Sequence, residues 1–342
     1  MASTNTSEGS KRDTPSANPG ENTRIERSAT VSEAMAGQRY DQIAAKLFPE
    51  FSRGKLQSWI LSGELTADQQ QCKPRQKLVA GVVLKLDAEY TPVSEWVAED
   101  RPINIVFEDE HILVVNKPAN CVVHPAAGLA SGTLVNSVLA HCPNNSALPR
   151  GGIVHRLDKD TTGLMVVAKS LEAHASLVKQ LQERSVSRIY RAIVRGTFIS
   201  GGTVDAPIGR HPSARTKMAV AKPSANQGAK PAVTHYRIKQ RFAQHTELKI
   251  KLETGRTHQI RVHMAHINHP LVGDKTYNSR YKLVAGVSAE LNQALMTFPR
   301  QALHALELAF DHPVSGERCE FISELPADYA AIIEALQQEE TN

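Results

Sequence analysis

The stretch Gly152-Ile153-Val154-His155-Arg156-Leu157-Asp158-Lys159-Asp160-Thr161-Thr162-Gly163-Leu164-Met165-Val166-Val167 decides how this chain is read. Apolar runs on both sides enclose a polar knot of two Asp, two Thr and a Gly. The pattern predicts strand, tight turn, strand, because Asp and Thr bond to their own backbone and Gly accepts positive φ. His155, Arg156 and Asp158 then fall at a strand end, where a sheet can present side chains to a cleft. Two readings fit the pattern by itself. Asp158 is either the turn-former of an ordinary hairpin or a reactive carboxylate held at a cleft.

Working outward, Ile103 to Phe107 and Ile112 to Asn116 predict two strands around the acidic turn Glu108-Asp109-Glu110, ended by Pro118, with Val122-Val123-His124-Pro125 continuing the strand. Asn120, in the turn after Pro118, is a residue that tolerates left-handed φ. On the other side, Ser170 to Glu183 carries Leu171, Ala175, Val178 and Leu181 at helical spacing. Arg188 to Val194 alternates, placing Arg188, Tyr190 and Ala192 on one strand face and Ile189, Arg191 and Ile193 on the other. Tyrosines in strands are usually core residues.

Between Asp205 and Glu247 there is no acid, but Arg210, Arg215, Lys217, Lys222, Lys230, Arg237, Lys239 and Arg241 all occur. A solvated face usually mixes signs, so this interval points to a polyanion. Further on come Thr254-Gly255-Arg256-Thr257-His258-Gln259-Ile260-Arg261-Val262-His263 and His269-Pro270-Leu271-Val272-Gly273-Asp274. The histidines raise a metal reading, but no Cys or well-spaced carboxylate joins them and two arginines would repel a cation. The expectation is no metal. Asp328 to Gln338 predicts an acidic, Ala-rich helix packed on the sheet.

Residues 1–27 are rich in Ser, Thr, Asn, Pro and Gly and predict a disordered tail. Tyr40, Ile43, Ala44, Leu47 and Phe48 then mark a helix closed by Pro49, and Ser52 can cap a second one with Leu56, Trp59 and Ile60 on one face. A β segment follows at Val82 to Leu86. Residues 28–90 read as a small domain, 91–101 as a linker, and 102–342 as the main domain. At 342 residues, 41% hydrophobic and 22% charged, the chain has the makeup of a globular protein, and no apolar run approaches the ~18–20 residues of a membrane span. Its four dispersed cysteines read as reduced thiols, its N-terminus has no secretory h-region, and the expected location is the cytoplasm.

These motifs together resemble a known family. HRLDKDTTG, the strand running into Asn116-Lys117-Pro118 and then Val122-Val123-His124-Pro125, and the TGRTHQIRVH and HPLVGD segments are similar to the RNA pseudouridine synthases that act on large-subunit ribosomal RNA and related targets. The resemblance implies an α+β fold with a mixed, mainly antiparallel sheet and a central RNA cleft. It makes Asp158 catalytic, Tyr190 the residue that stacks on the target base, and Arg256 the basic partner of Asp158. Arg261 becomes structural or RNA-facing. Arg156 becomes the candidate to prop the gap left by a flipped base, and His155 supports the turn beside the RNA. Residues 28–90 resemble an S4-type α/β RNA-binding domain, with Arg39, Arg53 and Lys55 toward phosphates. The Asn-Gly hairpin usual there is replaced by Asp68-Gln69-Gln70-Gln71.

The implied reaction isomerises uridine. The N1–C1′ bond breaks, uracil rotates, and C5 joins C1′. Nothing is oxidised and no group is transferred, so no cofactor is expected, in keeping with a chain that has no P-loop or dinucleotide fingerprint. Asp158 would either attack the sugar or remove a proton from it. A glycosidase would need a second carboxylate about 5–10 Å away, and the only near neighbour, Asp160, belongs to the turn. The expected partner is large-subunit ribosomal RNA or its assembly precursor, engaged by a monomer. Transfer RNA as substrate, or a non-catalytic RNA chaperone, are the competing readings.

Overall fold

Apolar spacing organises the first of two compact units, which ends at Glu95. The computed structural model describes residues 23–49, 51, 53–90, 96–125, 131–214, 216–221, 228–278 and 286–341. Strand β1 (Thr23–Thr30) pairs antiparallel with β3 (Val83–Tyr90), which also pairs with β2 (Leu65–Ala67). Helices α1 (Tyr40–Leu47) and α2 (Arg53–Ser62) lie between β1 and β2 in the chain. They bury Tyr40, Ile43, Ala44, Leu56, Trp59 and Ile60 with Leu65, Leu84 and Leu86. Ser52, the expected cap of α2, lies outside the described residues, as do residues 1–22 of the expected tail.

The tail does not extend to residue 27. Thr23 pairs with Tyr90 and the ladder runs unbroken to Thr30 opposite Val83. Only Ile25 and Ala29 of β1 touch the core, too little apolar character to show in the sequence. Backbone pairing and the two-bond contact of Arg24 with Asp87 supply the rest. The hairpin expected to lack its usual turn is present: Asp68 (φ 47°) and Gln69 (φ 61°) both take left-handed backbone, and Ala67 bridges Gln70. Two positive φ values in succession are the requirement of a type I′ hairpin, here met without glycine.

The second unit begins at Trp96. Residues 96–101 therefore belong to it and are not linker. Trp96 packs against its core, Asn136 Nδ2 donates to Val97 O (2.7 Å), and the Glu99 carboxylate accepts from Gly132 N (2.9 and 3.0 Å). The chain then forms β4 (Ile105–Glu108), β5 (Ile112–Lys117), α3 (Leu134–His141), β6 (Thr162–Ala168), α4 (Leu171–Glu183), β7 (Ser187–Arg195) and β8 (Gly202–Asp205). After these come β9 (Ile208–Arg210), β10 (Met218–Val220), β11 (Val233–Arg241), β12 (His245–Leu252), α5 (Gln259–His266), α6 (Ala289–Thr297), β13 (Leu303–Asp311), β14 (Arg318–Ile322) and α7 (Ala327–Thr341).

Among the described residues, β4-β5-β6-β13-β7-β12-β11-β8 form one sheet in that order, with β14 also on β13. Every pairing is antiparallel except β6 with β13. This is the mixed, mainly antiparallel α+β architecture expected. One face carries Leu113, Val115, Met165, Tyr190, Ala192 and Ile250 against α3 and α5. The opposite face packs Val114, Leu164 and Val166 on α4, and Ile193 on Tyr329 and Ile332 of α7. At the parallel contact, Gly163 (φ 116°) lies so near β13 that a Cβ would stand 2.2 Å from Ala305 O.

Two local expectations are corrected. Val122–Pro125 forms no strand, because the Val122 and Val123 carbonyls accept instead from Leu134 N (2.8 Å) and Val135 N (3.1 Å) at the start of α3. The first half of the central motif is likewise irregular, with a single bridge from Ile153 to Val167 before β6. Asn120 does take left-handed φ (56°). No helix among the described residues is long and apolar enough to cross a membrane.

Four partly or fully buried histidines of this unit set its response to acid. Burial pushes His124, His245 and His304 down to about 4 and His155 to about 3. The unfolded chain protonates histidine near pH 6.5. Between about pH 6.5 and 4 the unfolded state therefore binds more protons, and stability is lost as pH falls through that window. Urea unfolding at pH 7, 6 and 5 should give a steadily falling free energy with proton uptake; a constant value from pH 7 to 5 would contradict it.

Candidate active site

The residues after β12 build one wall of a cleft over the sheet, and the loop before β6 builds the other. Gln259 fixes the first wall. Its buried side-chain oxygen accepts from Thr254 Oγ1 (2.7 Å) and Arg256 N (3.0 Å), and its amide donates to Val233 O (2.9 Å) and Thr234 Oγ1 (3.0 Å). His258 is thereby held in left-handed backbone (φ 57°) at the start of α5. His263 ties α5 down through Ala206 O and Thr234 Oγ1, both at 2.9 Å. The motif's Thr, Gln and His are thus chiefly scaffolding.

The loop carrying Asp158 is pinned from several sides. Thr161 N donates to Asp158 O (3.1 Å) and closes the turn. Lys117, 1% exposed, donates to the carbonyls of Pro118, Cys121 and Lys159 at 2.8–2.9 Å. Burial brings its pKa to about 8, against the pull of Cys121, Asp160 and Asp158. Gln301 Nε2 donates to Thr161 Oγ1 (3.0 Å), and His304 Nδ1 meets Thr162 Oγ1 (2.8 Å).

Asp158 lies in an open cleft lined also by Arg156, Arg188, Tyr190, Arg256, His258 and Arg261. The guanidinium beside it is that of Arg261, not Arg256. Arg261 Nη1 donates to Asp158 Oδ2 at 3.0 Å, while its Nε and Nη2 grip Asp274 at 2.7 and 2.9 Å. Its Cζ lies 5.2 Å from the Tyr277 ring centre. Burial works against the charge of Arg261, but Asp274 and Asp158 together hold it protonated. Arg256 instead turns its Nε to Pro231 O (3.1 Å) on the cleft wall. The physical reason is helix geometry: α5 begins at Gln259, so Arg261 lies inside its first turn, while Arg256 is still in the preceding turn.

Two further groups reach the carboxylate. His258 Nε2 lies 4.0 Å from Asp158 Oδ1, and its Nδ1 meets the Tyr277 hydroxyl at 2.9 Å. That hydroxyl also accepts from Met218 N at 2.9 Å, which fixes the phenol beside the imidazole. Tyr190 lines the floor at 6% exposure. Burial raises its phenol, Arg188 opposes the rise, and Asp158 adds to it, so the ring is neutral at ordinary pH.

The other expected residues are distributed more widely. Arg156 is exposed at the cleft mouth. His155 faces inward, its Nε2 accepting from Val166 N (3.1 Å), and at a pKa of about 3 it is uncharged; it supports the loop and supplies no cation to a phosphate. Arg210 is exposed on β9, and Lys217 is half-buried at the edge of β10, away from the cleft lining. Arg215 and Lys222 lie outside the described residues. In the first unit, Arg39 and Arg53 both grip the fully buried Asp41, at 2.9 and 2.6 Å, keeping 37% and 48% of their side chains exposed. Lys55 Nζ stands 5.0 Å over the Trp59 ring. Glu108, His141 and Cys142 bring donor atoms within 4.8 Å of one another, but Lys169 Nζ already sits on Glu108 Oε1 at 2.8 Å, where it would repel a cation.

Residue spacing does not single out Asp274, His258 or Lys117. The only signal for Asp274 is its place at the end of HPLVGD, after Gly273 (φ 71°), where a Cβ would stand 1.9 Å from Arg300 O.

The family described as RNA pseudouridylate synthase matches residues 111–266, which include Asp158, Tyr190 and Arg261. A protein of Pseudomonas aeruginosa named ribosomal large subunit pseudouridine synthase D is 56% identical over 315 residues, covering 92% of this chain and 97% of its own. The chain belongs to the RNA pseudouridylate synthase family. A synthase D of Vibrio vulnificus is 48% identical over 92% of this chain and 96% of its own. The solved structure of human RNA pseudouridylate synthase domain containing 1 is 26% identical, with a TM-score of 0.51, over 67% of this chain and 86% of that one.

In this synthase, Asp274 does not line the cleft yet sets the direction of Arg261. Asp274→Ala should lower the single-turnover rate of uridine isomerisation roughly 10²-fold, the scale of an approximately 1 Å misplacement, with RNA affinity nearly unchanged. A rate within threefold of wild type would show that Arg261 holds its position without the clamp.

Proposed function

We propose that this protein isomerises specific uridines to pseudouridine in large-subunit ribosomal RNA, with Asp158 as the residue acting on the sugar. The observation that carries the reading is the ion pair of Asp158 with Arg261 on the floor of a basic cleft that also holds Tyr190. The relatives named above support the substrate, and the acid-free interval from residue 206 to 246 supports a polyanionic partner.

Arg261 holds the Asp158 carboxylate at 3.0 Å in the cleft, and the reaction needs that carboxylate whether it attacks C1′ or removes a sugar proton. A paired uridine cannot reach this depth, so the nucleotide is flipped out, with Arg156 at the mouth placed to fill the vacated stack. Tyr190 offers an uncharged aromatic face to the base and a hydroxyl for proton movement at C5. Asp158→Asn should abolish isomerisation while RNA affinity stays within about threefold, because the amide keeps the shape and loses the charge. The test is a carbodiimide-based pseudouridine map of large-subunit RNA from cells lacking the protein, rescued with wild type or Asp158→Asn. Sites restored only by wild type establish reaction and residue together. An unchanged ribosomal map moves the substrate to transfer RNA, and rescue by the variant removes Asp158 from the mechanism.

The first unit is assigned as an S4-type RNA-binding domain that presents Arg39, Arg53 and Lys55 to phosphates. Asp41 organises two of these cations without covering them. Lys55→Glu should weaken RNA binding uniformly across sequences and lower the slope of log K against log salt by about one. Filter binding over a salt series reads both, and an unchanged slope takes Lys55 off the RNA.

A further inference from the structure

Strand β7 puts a cation into the cleft that none of the contacts above uses. Arg188 lies two residues before Tyr190, so both side chains leave the same strand face. Arg188 is 8% exposed and lines the cleft with Asp158 and Tyr190. Its Nε is buried with no hydrogen-bond partner. The other buried arginines of this region are each clamped by a carboxylate, Arg261 by Asp274 and Arg300 by Asp328. A guanidinium removed from water without a counter-ion is costly, and a fold retains one where a ligand repays the cost.

The guanidinium lies against the cleft wall at Gly255, where a Cβ would stand 2.8 Å from Arg188 Nη1. Glycine at 255 admits the guanidinium itself, at a backbone φ outside the left-handed range, so room and not turn geometry accounts for it. The nearby imidazole of His155 is neutral and offers no charge to balance it.

We propose that Arg188 is the counter-ion of the uracil ring while the base is detached from its sugar. The inference rests on the isomerase reading. When N1–C1′ breaks, its bonding pair stays on uracil whether Asp158 attacks C1′ or a sugar proton is removed. The ring thus carries one negative charge shared among N1, O2 and O4. In the attack route, that charge is discharged when C5 bonds to C1′ and the Asp158 oxygen leaves as carboxylate. The C5 proton is then lost and N1 gains one, so no net charge, oxidant or co-reactant is left over. Arg261 already serves the sugar end through Asp158, and the neutral Tyr190 brings no charge. Arg188 supplies the missing positive charge at the base end, with planar N–H donors suited to the carbonyl edge. A backbone phosphate is the other anion RNA carries, but the cation exposed for it at the mouth is Lys159.

The test compares wild type, Arg188→Met and Arg188→Lys on an RNA that wild type converts. Single-turnover rate is measured with enzyme in excess, RNA affinity over a salt series, and Tm without RNA. Arg188→Met keeps volume and removes the charge. Its rate should fall about 10²–10³-fold, the scale for losing one donor to a developing anion. Its affinity should stay within threefold with the salt slope unchanged, and its Tm should hold or rise because an unpaired buried charge has gone. Arg188→Lys should recover about tenfold of the rate. A rate near wild type in Arg188→Met overturns the inference. So does a loss that appears in affinity with the salt slope reduced by about one, which would make a phosphate the ligand. A slow variant with lowered Tm that lysine does not rescue makes Arg188 structural. If wild type converts no uridine in any RNA offered, the isomerase reading itself fails and the inference with it.

Discussion

A guanidinium shared between two carboxylates sets the geometry around which this molecule's cleft is built. Arg261 and Asp274 are each almost wholly removed from water, and either one alone would be a costly buried charge. Joined through two short bonds they form a nearly neutral unit, and the remaining Nη1–H is directed at Asp158. The Asp158 carboxylate is thereby met by a cation that cannot swing away. Three segments must be in register for this: the loop before β6, the first turn of α5, and the turn after Gly273. The first of them is about a hundred residues from the other two in the chain.

The scaffold around that ion pair is correspondingly stiff. Lys117 anchors the Asp158 loop by three carbonyls, and Gln301 and His304 hold its threonines. Gln259 and Thr254 lock the facing turn, and His258 is kept in left-handed backbone where few non-glycine residues rest. Side chains fixed by their neighbours lose little freedom when a substrate arrives, which is how a shallow cleft on a sheet reaches the precision that bond cleavage needs.

Two arginines in one cleft show two uses of the same side chain. Arg261 is fully paired before RNA arrives and serves the enzyme's own carboxylate. Arg188 is buried with its Nε unpaired, a state that costs stability in the free protein and has its return only with a ligand in place. The bare Cα of Gly255 gives this guanidinium its room against the cleft wall.

Much of this is legible in the amino-acid sequence. The apolar runs of β5 and β6, the alternation of β7, the helical spacing of α1 and α2, and the turn chemistry around Asp158 mark elements that the structure contains, because their signals are local: side-chain period and turn formers. Helix α4 is also present, but it buries Ala173 and Leu177 and leaves Leu171 of the expected stripe exposed. Residue identity also brings Asp158, Tyr190 and the basic interval into view. Tertiary structure decided the rest. Whether Arg256 or Arg261 meets Asp158 depends on where α5 begins and on Asp274 lying against it, neither of which is a property of the motif alone. Thr23–Arg27 reads as tail because β1 is held by backbone pairing with a strand some sixty residues away, which leaves little trace in side-chain pattern. Val122–Pro125 reads as strand, yet its carbonyls are claimed by α3. The orphaned Nε of Arg188 is a statement about what is absent around a side chain, and only the folded chain, by fixing every neighbour, determines that.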